Sequence, residues 1–245
     1  MDPRVVVVAG GGQGIGLAIS RRLAAGGGRV AVIDVDGERA KRAAGDLPDG
    51  AGAPFQCDLT DPDQVTDVAA RIKKELGVPA VLVANQGGTP DVRFIDMSAE
   101  SQRQVINLNF VASLDISRAF LPEMIETKNG RIVFISSDAA RAGVPGQAVY
   151  AGAKAALIGF AKSLSVELAR YAITVNVVCP GSTETDAMRQ MLSPEGIEKR
   201  IKMHPMRRFA QPDDIAGAVE YFASPAASFV TGQVISVNGG MLRAG

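Results

Sequence analysis

Seven short runs of aliphatic, mostly β-branched residues alternate along the chain with stretches whose apolar positions recur every three or four residues. The first, Val5–Val8, is apolar at every position, as a parallel strand buried on both faces requires. Further strands are predicted at Arg29–Asp34, Ala53–Cys57, Ala80–Ala84, Gly130–Ser136, Ile173–Val178 and Gln233–Val237. Ile15, Ile19 and Leu23 mark one face of a helix that Gly26-Gly27-Gly28 stops. Helices are expected at Gly37–Asp46, from the N-cap pair Asp61-Pro62 to Leu76, at Ser98–Met124, at Ala148–Tyr171 and from Gln211-Pro212 onward. Residues 184–203 have helical character broken by Pro194 and Gly196. Strands alternating with helices imply a parallel sheet with right-handed crossovers and helices on both faces. With no repeat, low-complexity tract or linker in the pattern, one α/β domain is expected over residues 1–245, with a lid over the irregular stretch 182–210.

Composition narrows the function classes. Lys+Arg and Asp+Glu both number 26, giving a formal net charge of zero, whereas binders of nucleic acid or anionic membranes rely on excess positive charge. Neither partner is expected. Two cysteines, Cys57 and Cys179, are too few and too far apart for a disulfide framework and read as core thiols. With His204 the one histidine, no metal site is expected. Val5–Val8 is too short for the apolar core of a signal peptide, and no run approaches a membrane span, so a reducing, cytoplasmic location is expected. Glycine is the outlier, 27 residues of 245.

Those glycines cluster where chemistry follows. Gly10-Gly11-Gly12-Gln13-Gly14-Ile15-Gly16 leaves the first strand and enters the first helix, the context in which a glycine turn cradles a pyrophosphate at a helix N-terminus. Asp34 closes the second strand, 20 residues after Gly14, where an acid can accept hydrogen bonds from both ribose hydroxyls of NAD and repel the 2′-phosphate of NADP. Neither position 33 nor 35 is basic and position 13 is Gln, so nothing is expected to offset that repulsion. NAD is the predicted cofactor.

Tyr150 and Lys154, four residues apart, share one helix face. A phenol with a reference pKa of about 10 is a poor base near neutrality, and a nearby cation favours its ionised form. Ser137 stands just past the fifth strand, at the end of the sheet where ligands of open α/β folds bind.

In this order the elements resemble the classical short-chain dehydrogenase/reductase family over essentially the whole chain. The matching residues are Gly10 to Gly16, Asp58-Leu59, Asn85 with Gly87, Asn109, Ser137, Tyr150 with Lys154, Asn176, Pro180-Gly181, and Val230-Thr231-Gly232 with Asn238-Gly239-Gly240. The resemblance implies a single-domain Rossmann fold, a doubly wound seven-stranded parallel sheet flanked by helices. It also implies that Ser137 hydrogen-bonds the substrate oxygen, that Tyr150 is the general acid/base, and that Lys154 holds the nicotinamide ribose and lowers the Tyr150 pKa. Asn109 would shape a helix kink holding a water in a proton relay; the spacing favours it over Asn107, as it favours Ser137 over Ser136. Gly10, Gly12, Gln13, Gly14, Ile15 and Asp34 would line the cofactor, Asp58 and Leu59 flank its adenine, and Asn85, Gly87 and Tyr150 also contact it. Pro180, Gly181 and Thr183 would border the nicotinamide, and Thr185 reach the phosphates.

Three positions depart from the family pattern: Ala9 lacks the usual hydroxyl, Ala84-Asn85-Gln86-Gly87 replaces Asn-Asn-Ala-Gly, and Asn238 stands where Asp is commoner. The expected activity is NAD(H)-dependent interconversion of a secondary alcohol and a ketone, with a hydroxyacyl-CoA or an alicyclic alcohol as substrate. The alternatives are an NADPH-dependent 3-oxoacyl-carrier-protein reductase and a non-catalytic dinucleotide sensor. Arg141, Gln147, Met188 and Ser137 are the candidate substrate contacts, with Met191, Met203 and Met206 as further apolar lining of the lid. His204 reads as a loop or substrate-rim residue, and Arg208 as either an anion contact or a structural ion pair. The resemblance implies a homotetramer through the helices at 98–124 and 148–170, whose small residues equally suit packing on the sheet.

Overall fold

The computed structural model describes residues 4–191 and 193–243. Seven strands form one parallel sheet: β1 (Val5–Ala9), β2 (Arg29–Asp34), β3 (Gly52–Gln56), β4 (Val81–Ala84), β5 (Gly130–Ile135), β6 (Ile173–Pro180) and β7 (Val234–Val237). Their spatial order is β3-β2-β1-β4-β5-β6-β7. The chain works outward from β1 to one edge, then crosses back to β4, so the switch point lies between β1 and β4. Ligand crevices of open α/β sheets form at the carboxyl ends of the strands at such a point.

Among the described residues ten α-helices connect the strands: α1 (Gly14–Ala25), α2 (Gly37–Gly45), α3 (Pro62–Leu76), α4 (Ala99–Ile106), α5 (Ala112–Thr127), α6 (Ala139–Ala142), α7 (Ala148–Leu168), α8 (Asp186–Met191), α9 (Pro194–Met203) and α10 (Pro212–Ala223). Alternate side chains of each strand feed two cores. Val7, Ile33, Leu82, Ile132 and Val177 meet Ile72 of α3, Phe120 of α5 and Leu157 of α7. Val8, Val32, Val83, Val133 and Val178 meet Ile19 of α1 and Val219 and Phe222 of α10. The all-apolar strands follow from this: both faces of the sheet are covered. Cys57 and Cys179 are both buried free thiols, and burial pushes Cys57 up to about 11.

Three expectations change. The helix expected at 98–124 is interrupted by a π-helical stretch, Asn107–Val111, because the Asn109 side chain enters the ladder and donates to Val105 O at 2.9 Å. The stretch 184–203 does divide at Pro194, but Pro194 and Gly196 lie inside the first turn of the second helix, α9, and do not interrupt it: Ser193 caps it by accepting from Gly196 N, and Pro194 needs no N–H there. The last strand pairs, Cys179↔Ser236 and Pro180↔Val237, carry β6 two residues beyond the expected Val178. The expected lid rises from stems joined by a parallel bridge, Thr183↔Ala210, and carries α8 and α9.

The glycine turn fixes how α1 meets β1. A Cβ on Gly16 would lie 1.9 Å from Gly10 O, so only glycine lets the helix start this close to the strand end. We expect Gly16→Ala to cost about 3 kcal/mol or more by overpacking, read as a lower midpoint in urea unfolding followed by circular dichroism; an unchanged midpoint would show that the turn relaxes freely.

Candidate active site

Ser137 follows β5, and its Oγ accepts from Ala139 N at 3.1 Å while also bonding the Tyr150 phenol. Tyr150 lies in the first turn of α7, and Lys154, one turn on, is 2% exposed. The adjacent Ser136 turns inward instead and donates to Lys154 O at 2.8 Å, which ties the strand end to the helix. The structure thus separates two serines that spacing alone had to choose between. Asn109 is fully buried; its amide donates to Gly88 O at 2.8 Å and to Val105 O, and its Oδ1 accepts from Gly88 N at 3.1 Å. Asn107 instead donates to Thr60 O at 3.3 Å, away from the triad.

Burial dominates the protonation of this cluster. Burial pushes the Tyr150 phenol above its ordinary value, and the opposing pull is the hydrogen bond with Ser137. The Lys154 ammonium is held by the main chain. It donates to Ile135 O at 2.9 Å and Gln86 O at 3.1 Å, and burial lowers its pKa to about 8. Burial thus favours the protonated phenol, and on Lys154 it opposes the charge that two main-chain carbonyls support.

The residues expected to hold a dinucleotide line the same end of the sheet. Gly10 and Gly14 adopt positive φ, and Gly14 opens α1 with its N–H groups toward the turn. A Cβ on Gly12 would lie 2.5 Å from Asp34 Oδ2, and one on Gly14 would lie 3.4 Å from Thr185 Cγ2. The turn is therefore a cradle that side chains would fill, bounded by Asp34 on one side and Thr185 on the other. That shape suits a dinucleotide pyrophosphate. Gln13 is exposed and Ile15 packs on the core beneath the turn. Asn85 donates to Gly10 O at 2.8 Å, and its backbone N–H to Ala9 O at 3.0 Å; this ties the turn to β4 without the hydroxyl missing at position 9. Ala84 is buried as the last residue of β4.

Asp58 Oδ1 accepts from Thr60 N and Oγ1 at 2.9 and 2.7 Å, while Leu59 is buried in the core. Pro180 ends β6, Gly181 abuts Asn238, and Thr183 donates to Gly181 O at 3.0 Å. Thr185 Oγ1 accepts from Met188 N at 3.2 Å and caps the entry to α8.

Arg39 is the residue sequence reading missed. Its Nε donates to Asp34 Oδ1 at 3.1 Å, Nη2 lies 3.0 Å from the same oxygen, and Nη1 donates to Gln13 Oε1 at 3.0 Å. The expectation that no cation offsets Asp34 is therefore wrong. The signal was present: Asp36 caps α2 by accepting from Arg39 N, so the first turn carries residue 39 back to the strand end.

Other candidates disperse. Arg141 donates to Ser236 Oγ at 2.9 Å, toward β7, and Gln147 to Asp91 Oδ1 at 2.7 Å. Met188 is half-buried, Met203 and Met206 are exposed, and the Met191 side chain lies outside the described residues. His204 is buried, not at a rim, with Nδ1 2.8 Å from Arg200 O and its ring edge-on to Phe209. Arg208 pairs with Asp214 at 2.5 and 3.0 Å, the structural alternative. Among the described residues no His/Cys/Asp/Glu group could hold a metal, and no helix is long and apolar enough to cross a membrane.

A seven-stranded parallel sheet with a glycine cradle at its switch point and a Ser-Tyr-Lys cluster beside it defines a Rossmann-type oxidoreductase. Sequence comparison agrees. Residues 9–242 match the family profile described as enoyl-(acyl carrier protein) reductase. The chain is 37% identical over 244 residues to the 3-oxoacyl-[acyl-carrier-protein] reductase MabA of Mycobacterium bovis, covering 97% of this chain and 92% of that protein. It is 37% identical over 240 residues to the 3-oxoacyl-[acyl-carrier-protein] reductase FabG of Escherichia coli, with 98% of each covered. The crystal structure of gox2181 superposes with a TM-score of 0.92 at 32% identity, covering 98% of this chain and 96% of that one. The chain belongs to the classical short-chain dehydrogenase/reductase family, whose members bind a nicotinamide dinucleotide and act on CH–OH groups.

The unusual Asn238 is explained by its neighbour. Asn238 Nδ2 donates to Asp138 Oδ2 at 2.5 Å, and Asp138 Oδ1 accepts from Ser236 Oγ at 2.6 Å. Asn238→Asp would set two carboxylates against each other, raising their folded-state pKa values, so the folded state would bind protons that the unfolded state releases. We expect this variant to lose about 1–3 kcal/mol near pH 7, the loss shrinking as pH falls toward 4. Thermal unfolding across that range checks it, and Asp138→Asn in the same chain should restore stability.

Proposed function

We propose that the chain is a 3-oxoacyl-thioester reductase that takes hydride from a reduced nicotinamide dinucleotide, with NADH preferred. The observation carrying this reading is geometric: the Ser137 and Tyr150 hydroxyls bond each other at the end of β5, with buried Lys154 one turn on and the glycine cradle alongside, and burial favours the protonated phenol that ketone reduction uses. Ser137 and Tyr150 present two hydroxyls to one carbonyl oxygen, stabilising the charge that develops there. Tyr150 then gives its proton to that oxygen, which becomes the product hydroxyl. Lys154, still an ammonium at neutral pH, steadies the phenolate left behind and binds ribose hydroxyls with its remaining N–H. The relatives named 3-oxoacyl-[acyl-carrier-protein] reductases support the thioester substrate over an alicyclic one.

Asp34 supports NADH. Its carboxylate is buried, and its Oδ2 lies directly against Gly12, placed to accept from a ribose hydroxyl and to repel a 2′-phosphate. A second reading, NADPH, is favoured by Arg39, which gives that phosphate a cation if its bond to Asp34 opens. Met188, on the lid, remains the proposed apolar substrate contact.

Initial rates with 3-oxoacyl thioesters, followed by nicotinamide absorbance, test both parts. Tyr150→Phe should lower kcat/KM by roughly a hundred- to ten-thousand-fold; full turnover by this variant would defeat the mechanism. The wild type should favour NADH, and Asp34→Ser should shift the preference at least about tenfold toward NADPH, the equivalent of 1.4 kcal/mol. A strong NADPH preference in the wild type would transfer the ribose site to Arg39.

We further propose a homotetramer. Phe94, Ile106, Phe110, Val149 and Ala156 line an apolar groove of about 450 Å³ between α4, the π-helical stretch and α7. Phe94 and Ile95 beside it are 61% and 83% exposed, a cost that subunit pairing would relieve. Sedimentation should give about four times the chain mass of 25.5 kDa; a monomer would reject the assembly.

A further inference from the structure

Gln86 stands where the family pattern has alanine, and nothing in the reaction itself calls for a large amide there. Its side chain is buried, 6% exposed, and reaches from the end of β4 to the first turn of α5, where Nε2 donates to Ser113 Oγ at 2.8 Å. Ser113 is 1% exposed and lies just past the π-helical stretch. Its carbonyl accepts from Ser117 Oγ at 2.7 Å. The Gln86 Oε1 atom is buried without a hydrogen-bond partner among the described residues. An amide kept in the core with half its capacity unused is not there to fill volume, which an apolar side chain would do without that penalty.

The backbone of the same residue meets the catalytic cluster. Gln86 O accepts from Lys154 Nζ, and the next residue, Gly87, leaves so little room that a Cβ there would lie 2.7 Å from Nζ and 2.6 Å from Asn109 Oδ1. The segment carrying that carbonyl meets Lys154 and Asn109 at Gly87 and packs its main chain against Gly10, where a Cβ would lie 3.1 Å from Gln86 Cα. The first asparagine of the family motif, which would stand at position 84, is absent, and the Gln86 amide is the side-chain tie from this segment to α5.

We propose that Gln86 is a positioning residue: pinned through its side-chain amide to Ser113, it holds its own carbonyl under the Lys154 ammonium. This rests on the reading of Lys154 as part of the proton-transfer site. A carbonyl accepting from an ammonium favours its charged form, against burial, which favours the neutral one. Releasing the carbonyl therefore lets the lysine lose its proton at lower pH. The titratable groups facing Lys154 are the Tyr150 phenol, one turn earlier on α7, and the Cys179 thiol at the end of β6. Burial keeps both of those neutral, and the other facing groups, Asn109, Ser136 and the Ile135 carbonyl, carry no charge. The Gln86 carbonyl is thus one of two polar supports for the cation, and the one whose place depends on a side chain unusual for the family.

The test is a titration of Lys154 by NMR of the nucleotide-free protein carrying carbon-13 lysine, with the resonance assigned by its loss in Lys154→Met. The wild-type signal should titrate near the value of about 8 that burial sets. Gln86→Ala and Ser113→Ala should each lower it by at least about half a unit, a threefold shift in the ionisation equilibrium, and the double variant should add nothing further. Ser113→Ala removes one oxygen from a helix, so it answers the question even if Gln86→Ala does not fold. The alkaline limb of kcat/KM for ketone reduction should move down by the same amount. Variants that lower the melting temperature but leave both titrations in place would show a merely structural amide and overturn the proposal. Tyr150→Phe separates this outcome from failure of the functional reading, because the NMR shift does not require turnover.

Discussion

The interaction on which the site depends is the burial of a lysine ammonium against carbonyls instead of a carboxylate. Lys154 is 2% exposed and donates to the main chain at the ends of two neighbouring regions, β5 and the segment after β4. A buried unpaired charge is among the most costly features a fold can carry, so its surroundings must be strongly determined. They are. Ser136 fastens α7 to β5 behind the lysine, Gly87 omits the Cβ that would strike it, and Asn109 diverts a helix into a π turn to hold Gly88. A carboxylate would have neutralised the cation and left nothing for a ribose or a phenolate.

The cradle at the switch point is built on the opposite principle, removal of side chains. Glycines at 10, 12, 14 and 16 bring α1, β2 and Thr185 around a space shaped by main-chain N–H groups. Asp34 and Arg39 close one end as a partly buried pair, so the ribose end carries both signs of charge. Under the proposed function, cofactor choice turns on which partner of that pair yields, not on the presence of an acid alone.

Much of this was legible in the chain. Uniformly apolar strands, the helical spacing of Ile15, Ile19 and Leu23, and the glycine turn between them give the sheet and its switch point, because these patterns are set by burial on two faces. Ser137, Tyr150 and Lys154 were found because i,i+4 spacing and strand ends are local rules. The rest required geometry across long sequence separations. Arg39 reaches Asp34 only because a capped turn reverses the chain, and the pairing of Asp138 with Asn238 joins residues a hundred positions apart. The π-helical stretch hides in a sequence of ordinary helical character, since one amide entering the ladder creates it.

The same environment acts on the protonation of the cluster. Burial acts on the two ionisable members of the cluster in the same sense, toward neutrality, raising the phenol and lowering the ammonium. The effects on function are unequal. A phenol raised from about 10 is fully protonated at neutral pH and ready to donate, whereas a lysine near 8 keeps most of its charge there but little in reserve. In the proposed mechanism reduction starts from the protonated phenol and oxidation from its phenolate, and both pass through one transition state. The carbonyls that hold Lys154 therefore bear on proton transfer in both directions, because they fix where the cation sits when charge develops on the phenol oxygen.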